Sequence, residues 1–236
     1  SFLSILGVPL KLYWSFFVVL AYAALTAGVK GVVLLLAIFA CVTMHELGHV
    51  LMARRYYIGS KQILLTAVGG MATLESVGRN IPEQIRIGFA GPLVSIFIAA
   101  LSLIFTYLLF PEVLFILNLN GWLNILGYIW RINLILAIFN LLPVYPMDGG
   151  RIFRGLLIYC GMDRLKATNF SLAISYVFGV SFIFLGFLLP GLRFLVLIGL
   201  FLMLTAKKDA RNLLHNEELA LGNRNKPFFG ILPVFI

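Results

Sequence analysis

Val42-Thr43-Met44-His45-Glu46-Leu47-Gly48-His49-Val50 lies inside an apolar run that extends from Gly31 to Ala53. In helical form such a run is long enough for a hydrocarbon core, which takes about 20 residues. Two histidines and a glutamate are costly at that depth, about 2.5–3.5 kcal/mol for each charged group, so they mark a functional site by default. Spacing narrows the chemistry. His45 and His49 stand at i and i+4 on one helix face, where two imidazoles can hold one metal ion. Glu46 is rotated about 100° from His45 and stands beside such an ion, placed as general base for a water that the metal activates. An isolated HExxH often arises by chance in soluble proteins. Within an apolar helix that reading weakens, because the polar groups are expensive there.

The rest of the chain agrees with a membrane setting. Of 236 residues, 61% are hydrophobic and 11% charged, with mean hydropathy +1.03, whereas soluble domains carry about a quarter charged residues. The apolar runs and short polar connections read as one polytopic α-helical membrane protein. Its net charge of +9 does not point to nucleic acid, because the basic residues flank the apolar runs. Cys41 and Cys160 give no disulfide framework; Cys41, one turn before His45, reads as a small packing residue.

Six spans are expected, at about 12–27, 32–53, 82–110, 121–140 (starting near Gly121 or Tyr128), 168–189 and 192–206. The first lacks a small-residue cleavage site and is expected to be a retained helix. The preceding segment, broken at Gly7-Val8-Pro9, is expected to lie at the interface or pair as a strand. Gly28-Val29-Lys30-Gly31 reads as a tight turn. Lys61 to Glu75, with Gly69-Gly70 inside it, reads as a β-hairpin. That hairpin can be structural packing or an edge that accepts an extended substrate, and the two roles are compatible. Pro111 to Gly121 reads as a loop. Arg131 is expected to snorkel to an interface, and His215 to lie on a charged surface helix outside the site. Residues 1–206 form the expected core, with 207–236 as a basic, partly apolar tail.

With the N-terminus placed in the cytoplasm, the basic residues fall strongly on one side. Lys11, Arg54, Arg55, Lys61, Arg79, Arg86, Arg151, Arg154, Arg164, Lys166, Lys207, Lys208, Arg211, Arg224 and Lys226 are inside. Lys30 and Arg193 are outside, with Arg131 in the membrane. Both termini and the hairpin are then cytoplasmic, and His45 lies roughly 13 Å below that surface, counted from Arg54 at 1.5 Å per residue.

Two histidines under-coordinate a catalytic zinc ion, which usually takes three protein ligands. Glu75, Glu83, Glu112, Asp163, Asp209, Glu217 and Glu218 flank the runs or lie in polar segments. Asp148 remains, in Phe139-Asn140-Leu141-Leu142-Pro143-Val144-Tyr145-Pro146-Met147-Asp148-Gly149-Gly150-Arg151. Its prolines interrupt a helix, and irregular backbone at membrane depth requires surrounding protein or a wet cavity. Gly149-Gly150 permits a sharp turn and close backbone approach. Two histidines and one carboxylate also suit a non-haem iron triad; the HExxH spacing favours zinc.

HELGH together with FNLLPVYPMDGGR resembles the site-2 protease family of intramembrane zinc metalloproteases. The Gly88–Ser95 stretch and the Gly-Gly hairpin also match, and the resemblance covers about residues 5–206. It implies His45, His49 and Asp148 as zinc ligands, one ion per chain, and Glu46 as the base. It implies a role for Asn140 in holding substrate or stabilising the oxyanion. The implied activity is cleavage of transmembrane segments of other membrane proteins in regulated intramembrane proteolysis, with a regulatory membrane partner and no nucleic acid. Without a PDZ-like insertion of about 80–100 residues, small-domain size, the compact prokaryotic branch is expected. Two alternatives use the same residues: a metal-ion transporter, in which Glu46 would be a ligand, and a non-catalytic membrane binding protein.

Overall fold

The computed structural model describes residues 3–66, 69–74, 80–109, 124–222 and 232–233. In chain order these form β1 (Leu3–Ile5), β2 (Val8–Leu12), α1 (Trp14–Arg55), β3 (Ser60–Thr66), β4 (Gly69–Leu74), α2 (Ile81–Leu109), α3 (Asn124–Leu141), α4 (Asp148–Tyr159), α5 (Arg164–Leu188), a 3-10 turn (Pro190–Leu192), α6 (Phe194–Gly222) and β5 (Leu232–Pro233). The loop expected at 111–121 lies outside the described residues.

α1 is one element on paper and a helical hairpin in space. The Phe16 and Phe39 ring centroids are 4.7 Å apart, although 23 residues of straight helix would separate them by about 35 Å. The reversal is made at Gly28, with φ 60° and ψ −150°, a conformation that a side chain would strain. The turn expected at residues 28–31 is therefore a single-residue reversal between arms 14–27 and 29–55.

Among the described residues, α1, α2 and α5 are long and apolar enough to cross a bilayer, and α3 carries a shorter apolar stretch, Gly127–Leu141. The six expected spans are thus matched only in part. Two of them are arms of α1, and the apolar start of α6 runs without a break into Lys207-Lys208-Asp209. The division expected at residue 206 falls inside that helix.

At one end of the bundle the strands form a five-stranded sheet in the order β1-β2-β3-β4-β5. β1 and β2 are antiparallel across the Leu6-Gly7 turn, and β2 pairs parallel with β3, Leu10 opposite Ile63. Parallel neighbours need a long crossover, and α1 supplies it by returning the chain to the end where it entered. β3 and β4 form the expected hairpin, Ile63 opposite Ala72. β5 pairs antiparallel with β4, Leu74 opposite Leu232 and Thr73 opposite Pro233. Val8, Ile63, Leu65, Ala72 and Leu74 of the sheet bury against Val42, Leu47 and Val50 of α1, so sheet and site-bearing helix share one core.

Polar contacts fasten α5 and α6 to the segment that follows α3. Arg151 of α4 grips Asp209 of α6, Nη2 to Oδ1 at 2.7 Å and Nε to Oδ2 at 3.3 Å. Arg154 Nε donates to Thr168 Oγ1 at 2.7 Å, and the Tyr145 N–H donates to Ser175 Oγ at 2.8 Å. Breaking one side of a buried ion pair leaves an uncompensated charge, whereas replacing both partners by apolar groups can be close to neutral. Asp209→Ala is therefore expected to cost about 3–5 kcal/mol, and Arg151→Met with Asp209→Leu clearly less. Thermal unfolding in detergent of the single and double variants checks this order.

Candidate metal centre

His45 and His49 sit one turn apart on the second arm of α1, 0% and 1% exposed. Asp148, 1% exposed, opens α4. Backbone geometry at the start of α4 explains why it can reach them. The carbonyls of Leu141 and Leu142 press on Gly149 so closely that any side chain there would collide with them. The turn after α3 can therefore fold tightly enough to bring the first residue of α4 onto α1.

His45, His49 and Asp148 form a group of buried side chains able to hold a metal ion. The His45 and His49 Nε2 atoms are 3.2 Å apart, and Asp148 Oδ2 lies 3.3 Å from the first and 3.1 Å from the second. Hydrogen bonding alone cannot satisfy this triangle with neutral rings, since a ring nitrogen that donates cannot also accept. A cation can. Metal–ligand bonds of about 2.0–2.1 Å in a tetrahedron place ligand atoms about 3.3 Å apart, so the three atoms already have the edge lengths of a tetrahedral site.

Glu46 is fully buried beside the triangle. Its Oε2 accepts the backbone N–H of Ala72 on β4 at 2.6 Å, while Oε1 has no hydrogen-bond partner among the described residues. The strand lies tight on the helix here: a Cβ at Gly70 would come within 2.7 Å of Val42 and 3.3 Å of Glu46. Asn140, near the end of α3, is 1% exposed, and its Oδ1 also lacks a partner among the described residues. Cys41 stays outside the group and accepts Asn133 Nδ2 at 3.0 Å. His215 is exposed on α6. Arg131 stacks over the Trp130 ring at 4.8 Å and donates to the Gly127 carbonyl.

The third wall is α2. His45 Nδ1 lies 2.9 Å from Ser95 Oγ, and His49 Nδ1 donates to the Ile87 carbonyl at 2.7 Å. Between them, Gly91 is pressed against both imidazoles, so that a Cβ would collide with His49 Nε2 and reach within 2.5 Å of His45 Nε2. Sequence reasoning does not reach these contacts or the Ala72 bond to Glu46. A hydroxyl in an apolar helix, one turn after Gly91-Pro92, was the legible hint for Ser95; main-chain donors and acceptors carry no signal of their own.

Comparison with known proteins points the same way. Peptidase family M50 matches residues 33–116 and 115–186. A zinc metalloprotease of Methanocaldococcus jannaschii is 32% identical over 211 residues, 88% of this chain and 59% of that protein. Stage IV sporulation protein FB of Bacillus subtilis is 30% identical over 162 residues, 68% of this chain and 51% of its own. The chain thus spans between half and three-fifths of the length of these two relatives. The solved structure of a site-2 protease from Methanocaldococcus jannaschii is 33% identical, with TM-score 0.65, covering 89% of this chain and 94% of that one.

Gly91→Ala tests the geometry of the third wall. The added methyl group has to displace an imidazole or push α2 away from α1, and overpacking of this kind costs about 1–3 kcal/mol. Metal content by elemental analysis is expected to fall from about one ion per chain to near zero, with the helical circular-dichroism signal retained.

Proposed function

This chain belongs to peptidase family M50, and from that premise we propose that it is an intramembrane zinc metalloendopeptidase that cleaves transmembrane segments of membrane-anchored substrates. His45, His49 and Asp148 hold the zinc ion, Glu46 is the general base and Asn140 assists at the oxyanion. One observation carries the reading. Three ligand atoms stand 3.1–3.3 Å apart, beside a buried carboxylate with one oxygen unpartnered among the described residues.

In this reading the protein crosses a prokaryotic cell membrane six times. Both termini and the site face the cytoplasm in this reading, which the asymmetry of lysine and arginine supports. The two arms of α1, together with α2 and α5, supply four of the crossings, and the apolar parts of α3 and α6 the others. Residues 1–206 serve as the catalytic core and 207–236 as an appended tail. Substrate is a transmembrane protein, and a further membrane protein regulates its access.

When bound, zinc supplies positive charge that acidifies water and polarises a carbonyl. The chain's own groups do the rest. Glu46 takes the proton of the attacking water and returns it to the leaving amine. The Ala72 N–H anchors one of its oxygens, so the other is the one that handles the proton. Asn140 donates to the oxygen of the scissile carbonyl as charge develops there. The side of β4 turned away from β3, where Leu232–Pro233 pairs, receives the unwound substrate as an added strand and satisfies backbone groups that lipid cannot. The pairing of Leu232–Pro233 with Thr73 and Leu74 supports an edge able to take an extended segment.

Purified wild type and Glu46→Gln in detergent test the proposal together. Both are expected to hold about one zinc per chain. Cleavage of a model transmembrane substrate with helix-breaking residues should fall at least about a hundredfold in the variant, as for loss of a general base. Loss of zinc along with Glu46 would point to a ligand in a transit site. A zinc-loaded wild type that cuts no transmembrane substrate would overturn the protease reading.

A further inference from the structure

Hydroxyl side chains inside apolar helices have few acceptors to choose from, and they usually bond back to the carbonyl four residues earlier. This protein follows the habit along its length. Thr43 donates to the Phe39 carbonyl at 2.7 Å, Thr106 to Ser102 at 2.7 Å, Ser171 to Ala167 at 2.9 Å and Thr205 to Phe201 at 2.6 Å. Ser95 departs from it. Fully buried in α2, its Oγ lies 2.9 Å from His45 Nδ1, and it makes no other hydrogen bond among the described residues.

We infer that Ser95 is a positioning residue that selects the metal-binding tautomer of His45, its oxygen accepting the Nδ1 proton so that Nε2 presents a lone pair. The inference rests on the zinc-site reading above and extends it to a residue on a third helix. A neutral imidazole carries its proton on one nitrogen only. Asp148 Oδ2 stands 3.3 Å from His45 Nε2, and a carboxylate there attracts the proton to Nε2, the nitrogen that has to be bare for an ion. Something on the far side of the ring must outweigh that pull. For His49 the counterweight is the Ile87 carbonyl at 2.7 Å, which can only accept and therefore settles the proton on Nδ1. For His45 the corresponding group is the Ser95 hydroxyl.

The two counterweights come from one face of one helix. Ile87, Gly91 and Ser95 follow at intervals of four along α2, so they stack on the side turned to α1. Gly91 closes the distance, and the residues a turn to either side of it meet the two outer ring nitrogens. α2 presets both imidazoles before an ion arrives. Groups that hold the second nitrogen of a ligating histidine typically contribute 10–100-fold to metal affinity.

The test uses the full chain in detergent, with zinc alone as the probe. Ser95→Ala is expected to weaken zinc binding about 10–100-fold in competition with a chelator. Ser95→Thr, which keeps the oxygen, is expected to restore most of that loss. In the metal-free wild type, nitrogen-15 spectra of labelled histidine are expected to show His45 protonated at Nδ1, and in Ser95→Ala to shift toward Nε2. A role in packing alone would leave the tautomer where it was. Ser95→Ala binding zinc as tightly as wild type, or a metal-free wild type with His45 protonated at Nε2, overturns the inference. The wild-type spectrum decides even where the alanine variant does not fold. A wild type that binds no zinc defeats the functional reading instead, so the two failures are distinguishable.

Discussion

Two imidazole nitrogens and a carboxylate oxygen held 3.1–3.3 Å apart, on side chains buried in the bundle, are the constraint the rest of the structure serves. Polar groups buried in apolar surroundings cost free energy unless they have partners. Here the partners are largely one another, and the triangle they form is complete only with a cation inside it. Each neighbouring element can be read by what it contributes to keeping that triangle closed.

α1 contributes two corners, and its reversal at Gly28 returns the chain so that the sheet can stand against the same helix. Through Ala72, whose N–H meets Glu46 at 2.6 Å, the sheet is joined directly to the carboxylate next to the histidines. A strand that takes up an extended segment at Thr73 and Leu74 therefore begins one residue from a hydrogen bond to that carboxylate. Any movement of β4 is felt at Glu46, which ties the proposed docking edge to the proposed base without an intervening side chain.

α2 and α4 close the triangle from the other directions. α4 enters through a turn so tight that Gly149 has backbone carbonyls where a side chain would stand. Its arginines reach outward to Asp209 and Thr168, which joins the α5–α6 pair to the element carrying Asp148. The helix that offers a ligand is thus also the one that anchors the outer helices. α2 offers no ligand atom and instead supplies a glycine against the imidazoles, with an oxygen one turn to either side.

Much of this was legible in the residues alone. The HELGH spacing, its place in an apolar run and the lone intramembrane aspartate after two prolines singled out His45, His49 and Asp148, and the Gly-Gly run announced a hairpin. Periodicity and hydropathy report helices and faces because those depend on near neighbours in the chain. They placed a turn between two apolar runs at residues 28–31, but could not show that one glycine, Gly28, makes the whole reversal. The Ser95 contact spans fifty residues, and Ala72 and Ile87 meet Glu46 and His49 through their main-chain atoms, which every residue possesses. The sequence by itself determined which side chains could bind a metal; the packing of α2, β4 and α4 around α1 decided which atoms meet, because that depends on the distance between backbones and not on the order of residues along them.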